Sequence, residues 1–139
     1  MRGKADVAAR RPLAFPATVS EDRMHPHTRY VFIASMDVDA EREALFNEVY
    51  DSEHVPLLLK VPGVLAVTRA KSEPLQMIIG GERKAIMVEG EPRYSAIYEL
   101  ENAEVLTSEA WGRAVDHGRW PTEVRPYTRN RRHVLKKVI

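Results

Sequence analysis

A chain of 139 residues, 44% hydrophobic and 29% charged, has the composition of one globular domain able to bury its own core. It contains no cysteine, which excludes disulfides, thiolate nucleophiles and cysteine-ligated metal clusters. A formal net charge of +1 gives no long-range reason to expect nucleic acid or acidic lipid as a partner, and no apolar run reaches the roughly 20 residues that span a bilayer.

Residues 1–27 mix Arg, Ala and Pro without a helical or strand period, and Pro12, Pro16 and Pro26 interrupt them. They read as a flexible N-terminal arm ahead of a single domain at 28–139. The arm is basic but lacks a continuous apolar core, so it does not read as a secretory signal, and a soluble, cytoplasmic protein is expected.

The first strand is expected at 28–37, TRYVFIASMD. Tyr30, Phe32, Ala34 and Met36 alternate with Val31, Ile33 and Ser35, so both faces are largely apolar. Such a strand needs cover on two sides. A helix follows at about 40–54, with Asp37 and Asp39 as candidate N-caps and Glu41 and Glu43 in the first turn, where the helix dipole favours them. Leu45 and Val49 form one stripe; Phe46, Tyr50 and His54 form another at i, i+4 and i+8. Pro56 disfavours helical geometry at Val55 and is expected to end or kink the helix. Pro62–Gly63 marks a turn into a second strand at 64–71.

Residues 74–92 hold two short β-prone runs around Gly80–Gly81, an inserted hairpin. A third strand, 93–100, places Tyr94, Ala96, Tyr98 and Leu100 on one face. Asn102 or Ser108 can cap a second helix carrying Val105, Leu106, Trp111, Ala114 and Val115 and stopping at Gly118. A loop, RWPTEVRPYTRNR, then leads to a last strand at 133–139.

The order β-α-β, hairpin, β-α-β predicts an α+β, ferredoxin-like βαββαβ fold. Its four-stranded antiparallel sheet carries both helices on one face. The other face is left open and apolar, which points to a homodimer joined sheet to sheet.

The stretch FNEVYDSEHVPLLLKVPGVLAVTRAKSEP resembles the dimeric α/β-barrel superfamily, particularly its EthD-like members. It does so through Tyr50, His54, Pro56, Leu57, Pro62, Gly63 and Val64. YSAIYELENAEVLTSEAW resembles the third strand and second helix of the same superfamily. The resemblance extends over 30–139, with the insertion at 74–92 outside the minimal pattern. It implies a homodimer with a pocket between each sheet and its helices. Members include cofactor-free monooxygenases, isomerases, polyketide cyclases and haem-handling proteins, so a cofactor-independent enzyme or a non-catalytic ligand-binding dimer is expected.

His54 is the first candidate for chemistry. A partly buried imidazole beside a cavity can act as general acid or base on an enolisable, aromatic or polyketide-like molecule; the plainer role is a hydrogen bond to backbone near Pro56. Tyr50, one turn earlier, can donate to a carbonyl or phenolate oxygen or serve only as core. Tyr94, Tyr98, Trp111 and Trp120 suit a slot for a flat ligand, although large aromatics are also ordinary core. Arg119, after the Gly118 stop, can hold a carboxylate at a pocket mouth or lie on the surface. Asp51 and Glu53 fall off the apolar stripe and are assigned to solvent.

No metal spacing is present: His25 and His27 fall in the arm, and His54, His117 and His133 fall on separate elements. There is no cofactor motif and no phosphate-binding glycine loop. The basic cluster Arg125, Arg129, Arg131, Arg132, Lys136 and Lys137 reads as a solvated strand edge. RYSAIYEL lacks the stacking aromatics of an RNA-recognition motif, which argues against nucleic acid.

Overall fold

The computed structural model describes residues 29–139; the expected arm at 1–27 and its boundary lie outside them. Strands β1 (Tyr30–Val38), β2 (Val64–Lys71), β5 (Tyr94–Leu100) and β6 (Thr128–Lys137) form one antiparallel sheet in the order β2-β5-β1-β6. That order with two intervening helical segments is the ferredoxin-like arrangement. The hairpin β3 (Leu75–Ile79) and β4 (Glu82–Ile86) forms a separate two-stranded sheet.

The period-two pattern sorts the strands as expected. Ala34 and Met36 of β1 meet Ala96 and Tyr94 of β5, and all four are buried in the helix-facing core with Phe46, Val49 and Leu58. On the opposite face Val31, Ile33 and Ile97 are half-buried and Val134 is 47% exposed. Ser35 and Ser95, paired across β1 and β5 there, share a hydrogen bond of 2.7 Å between their hydroxyls.

The first helical segment departs from the expected single helix. A 3-10 turn, Ala40–Arg42, leads into α1 (Glu43–Val49). The chain then widens into a π-helical turn, Tyr50–His54, and continues as α2 (Val55–Leu59). Of the two outcomes expected at Pro56, an end or a kink, the helix does not end: it is irregular before the proline and runs on past it. A proline has no N–H to give and its ring collides with the carbonyl four residues back. The widened turn, in which the Val55 N–H reaches the Tyr50 carbonyl, accommodates both defects. Asp39 stands at the N-cap position, but neither its side chain nor that of Asp37 caps the segment. Asp37 accepts from the Arg93 N–H and from Asn130, and Asp39 pairs with Arg129.

The second segment is a 3-10 turn, Ala103–Thr107, followed by α3 (Glu109–Val115). Ser108 is its N-cap, accepting from the Trp111 N–H at 3.1 Å. Residues expected as loop fold into a second π-helical turn, Trp120–Val124, and a 3-10 turn, Arg125–Tyr127. β6 starts at Thr128, five residues earlier than its sequence suggests.

Gly63 shows how tightly the first crossover is closed. Its φ of +92° lies in the left-handed region, and a Cβ there would overlap Val105 Cγ2. Gly63→Ala is expected to lower unfolding free energy by about 1–3 kcal/mol. Urea titration checks this, and an unchanged midpoint would refute it.

Candidate functional site

A cavity of about 240 Å3 lies between the sheet and the helical layer. Its floor is built by the two π-helical turns and α2: Tyr50, His54, Leu58 and Trp120, all buried. The sheet contributes Phe32, Ala34 and Met36 from β1, Tyr98 from β5, and Arg131 and His133 from β6. Trp111 and Val115 of α3 close the far side, and Arg125 completes the lining. Of the residues singled out from sequence, His54, Tyr50, Tyr98, Trp111 and Trp120 thus converge on one space.

His54 is 4% exposed, and its ring stacks on Trp120 at a centroid distance of 4.2 Å and an interplanar angle of 17°. Tyr50 meets it edge-on at 5.2 Å. The His54 Nδ1 is buried without a hydrogen-bond partner among the described residues. The expected backbone bond near Pro56 is therefore not formed by that nitrogen. No carboxylate or carbonyl orients the ring through Nδ1; aromatic packing holds it instead. Burial, reinforced by the nearby Arg125 guanidinium, depresses the imidazole to about 4 from its ordinary 6.5, so it is neutral at pH 7.

The hydroxyls of Tyr50 and Tyr98 lie 3.5 Å apart in the buried wall. Burial raises both phenols above their ordinary range. They are neutral hydrogen-bonding groups at working pH. Trp111 meets Phe32 and Tyr98 edge-to-face at 5.9 and 5.5 Å, Phe32 and Tyr98 lie tilted to each other at 5.5 Å, and His133 stacks on Phe32 at 5.8 Å.

Arg119 does not line this cavity. Its Nε donates to Glu53 at 2.6 Å, its backbone N–H to the same carboxylate at 3.0 Å, and its Nη2 to Glu48 at 3.0 Å. These bonds hold the Glu53 carboxyl below its ordinary range. Glu53, assigned to solvent from sequence, precedes His54, and Arg119 precedes Trp120. The ion pair therefore ties the two π-helical turns together beside the stacked rings. Gly118 (φ +73°) leaves the space that the Glu53 carboxylate occupies.

Arg125, Arg131 and His133 were not separable from a solvated edge by sequence. An alternation reading extended back to Thr128 would have put Arg131 and His133 on one face of β6. The rest of the basic cluster behaves as expected at the edge: Arg129 pairs with Asp39, and Arg132 with Glu91. Among the described residues no group of His, Asp or Glu has a metal-binding arrangement, and no helix is long and apolar enough to cross a membrane.

No protein-family model and no curated protein matches the sequence. Solved structures do match. MhuD, a heme-degrader from Mycobacterium tuberculosis with two hemes bound in its active site, aligns with a TM-score of 0.53 at 17% identity. The alignment covers 79% of this chain and 95% of that one. A mutant of MhuD with two manganese protoporphyrin IX molecules per active site aligns at 0.54 and 16% identity, covering 79% and 94%. What is shared is the fold.

The depressed imidazole has a stability consequence. The unfolded chain binds a proton at His54 near pH 6.5, and the folded chain only near 4. Stability from this site is complete above pH 6.5, falls as pH drops through that window, and levels off below 4. Between pH 7 and 5 the loss is about 2 kcal/mol. His54→Leu should show that much less pH dependence than wild type in parallel urea titrations. Superimposable pH profiles would contradict a neutral, buried His54.

Proposed function

We propose that this protein is a homodimeric small-molecule-binding protein that acts as a cofactor-independent enzyme of the monooxygenase, isomerase or cyclase type. His54 is the acid–base group and Tyr50 its assistant. The observation that carries the reading is the neutral His54 ring, locked against Trp120 on the floor of an aromatic-walled cavity. A neutral imidazole can take a proton from a carbon next to a carbonyl. The electron pair moves to the carbonyl oxygen, where the Tyr50 or Tyr98 hydroxyl can donate. Return of the proton to another carbon completes an isomerisation without any cofactor. Tyr98, Trp111 and Trp120 hold the flat ligand. Arg119 acts at second hand, through Glu53, on the His54 turn.

The EthD-like resemblance of the His54–Pro56–Leu57 segment is the family assignment that accompanies this reading, with the cytoplasm as its place of action. Haem, the ligand of the structural neighbours, is the competing occupant. At about 30 Å3 per water molecule, 240 Å3 holds about eight waters, which is below the roughly 300–1,000 Å3 of drug-sized sites. A tetrapyrrole would require the cavity to widen; a one-ring or two-ring molecule does not.

Proton abstraction can be tested before the natural substrate is known. In D2O, wild type should speed deuterium incorporation into small cyclic β-diketones or aryl ketones, followed by NMR. His54→Asn should lower the rate at least about a hundredfold, and Tyr50→Phe by less. A His54→Asn protein that exchanges at the wild-type rate removes His54 from the chemistry.

The homodimer in this proposal forms through the open sheet face, which carries Val31, Ile33, Ile97 and Val134. Sedimentation at micromolar concentration should show a dimer. Val134→Glu, which puts a charge into that interface, should shift it toward monomer while leaving the far-UV spectrum unchanged. A folded wild-type monomer would refute the assembly.

A further inference from the structure

We propose that the cavity selects a planar aromatic carboxylate and that Arg131 grips its anionic group. This deepens the reading above and rests on it for the location of the ligand.

The charge of the lining is one-sided. Arg125 and Arg131 border the cavity, and no Asp or Glu does. The two arginines differ in how they are engaged. Arg125 donates to the Val115 carbonyl at 2.7 Å and to Asp116 at 2.8 Å, so its charge is already partly answered. Arg131 has neither an ion pair nor a hydrogen bond to any described residue, although Arg129 and Arg132 on the same strand both have partners.

The backbone around Arg131 is held firmly. The register of β6 against β1 shifts between Ser35 and Asp37, so Asn130 and Arg131 both stand opposite Met36, a cavity residue. Asn130 takes a left-handed φ of 53°. Its side-chain amide donates to Asp37 at 3.0 Å and to the Gly90 carbonyl at 2.9 Å. A β-bulge of this kind beside a cavity fixes where the neighbouring side chain starts from. The result is an anchored strand presenting an exposed guanidinium, without an ion-pair partner among the described residues, beside stacked rings, the pairing that recognises a flat anion.

The remaining lining sets the body of the ligand. Phe32, Tyr98, Trp111 and Trp120 supply ring faces and edges, and the volume suits one or two rings. An anion bound there would favour the protonated form of His54 and so bring the imidazole back toward useful basicity. Inorganic phosphate could satisfy the guanidinium but leaves the aromatic walls unused.

The experiment is calorimetric and thermal-shift titration of the full chain with 4-hydroxybenzoate and 1-hydroxy-2-naphthoate. Comparison ligands are 4-hydroxybenzamide, cyclohexanecarboxylate, inorganic phosphate and haemin. At least one aromatic acid should bind and raise Tm, and the amide and phosphate should not. Arg131→Ala and Arg131→Gln should weaken the acid about tenfold or more, while Arg132→Ala leaves it unchanged.

Equal binding of amide and acid, unchanged affinity in both Arg131 variants, or binding of haemin alone would overturn the proposal. Its failure is separable from that of the functional reading. Aromatic acids that bind through Arg131 without any His54-dependent exchange would retain the ligand class and remove the enzyme. Exchange on neutral ketones without acid binding would do the reverse.

Discussion

The stack of His54 on Trp120 is the contact around which the helical layer is arranged. Each ring comes from a π-helical turn, and each turn is linked to a proline, Pro56 just after the first and Pro121 within the second. Widening the helix before Pro56 lets the chain continue to Leu58, which is fully buried, so the helix keeps its anchor in the core. The same widening carries His54 to the cavity floor. Aromatic pairs of this kind contribute about 0.5–1.5 kcal/mol each beyond their burial. An unpartnered buried imidazole nitrogen costs about 1–3 kcal/mol. Packing against Trp120 and Tyr50 therefore roughly offsets that cost, and the ring is retained at little net gain to folding. Such a balance is common where a polar group serves a site.

Charge is distributed by depth. The floor holds groups that are neutral at pH 7, an imidazole and two phenols, because burial penalises their ionised forms. The permanent cations Arg125, half-buried, and Arg131, exposed, stand at the border of the same space. Outside it, Glu53, Arg119 and Glu48 form an ion-pair cluster that bonds the two floor-bearing turns to each other. Exposed pairs contribute little to stability. The geometric effect of this one is larger, since it joins the residues immediately preceding His54 and Trp120. MhuD shares the fold at 17% identity, and a fold held in common does not carry a function with it, since function resides in the side chains grafted on it.

Local pattern was sufficient for the scaffold. Alternation separated the two faces of Tyr30–Met36 and put Tyr94, Ala96, Tyr98 and Leu100 on one face, since side chains on a strand alternate strictly between faces. Gly63 and Ser108 announced a turn and a cap through conformational and hydrogen-bonding preferences that neighbours do not alter. The i, i+4, i+8 spacing of Phe46, Tyr50 and His54 placed all three toward the sheet, and the structure buries all three.

What needed the tertiary structure is everything that depends on distant residues meeting. A π-helical turn shifts the helix by a fraction of a residue without leaving a period of its own, so the continuation past Pro56 and the turn at Trp120 carried no sequence signal. Glu53 and Arg119 lie 66 residues apart and find each other only because the two turns are brought together. Arg131 looked like one more charge on a basic edge. Its place at the cavity depends on where β6 begins and on a bulge opposite Met36. The sequence alone determined which residues are inside and in what order the elements come, because those follow from nearest-neighbour chemistry. Which charges pair among the described residues, and which border the cavity, was decided by contacts that only the folded chain creates.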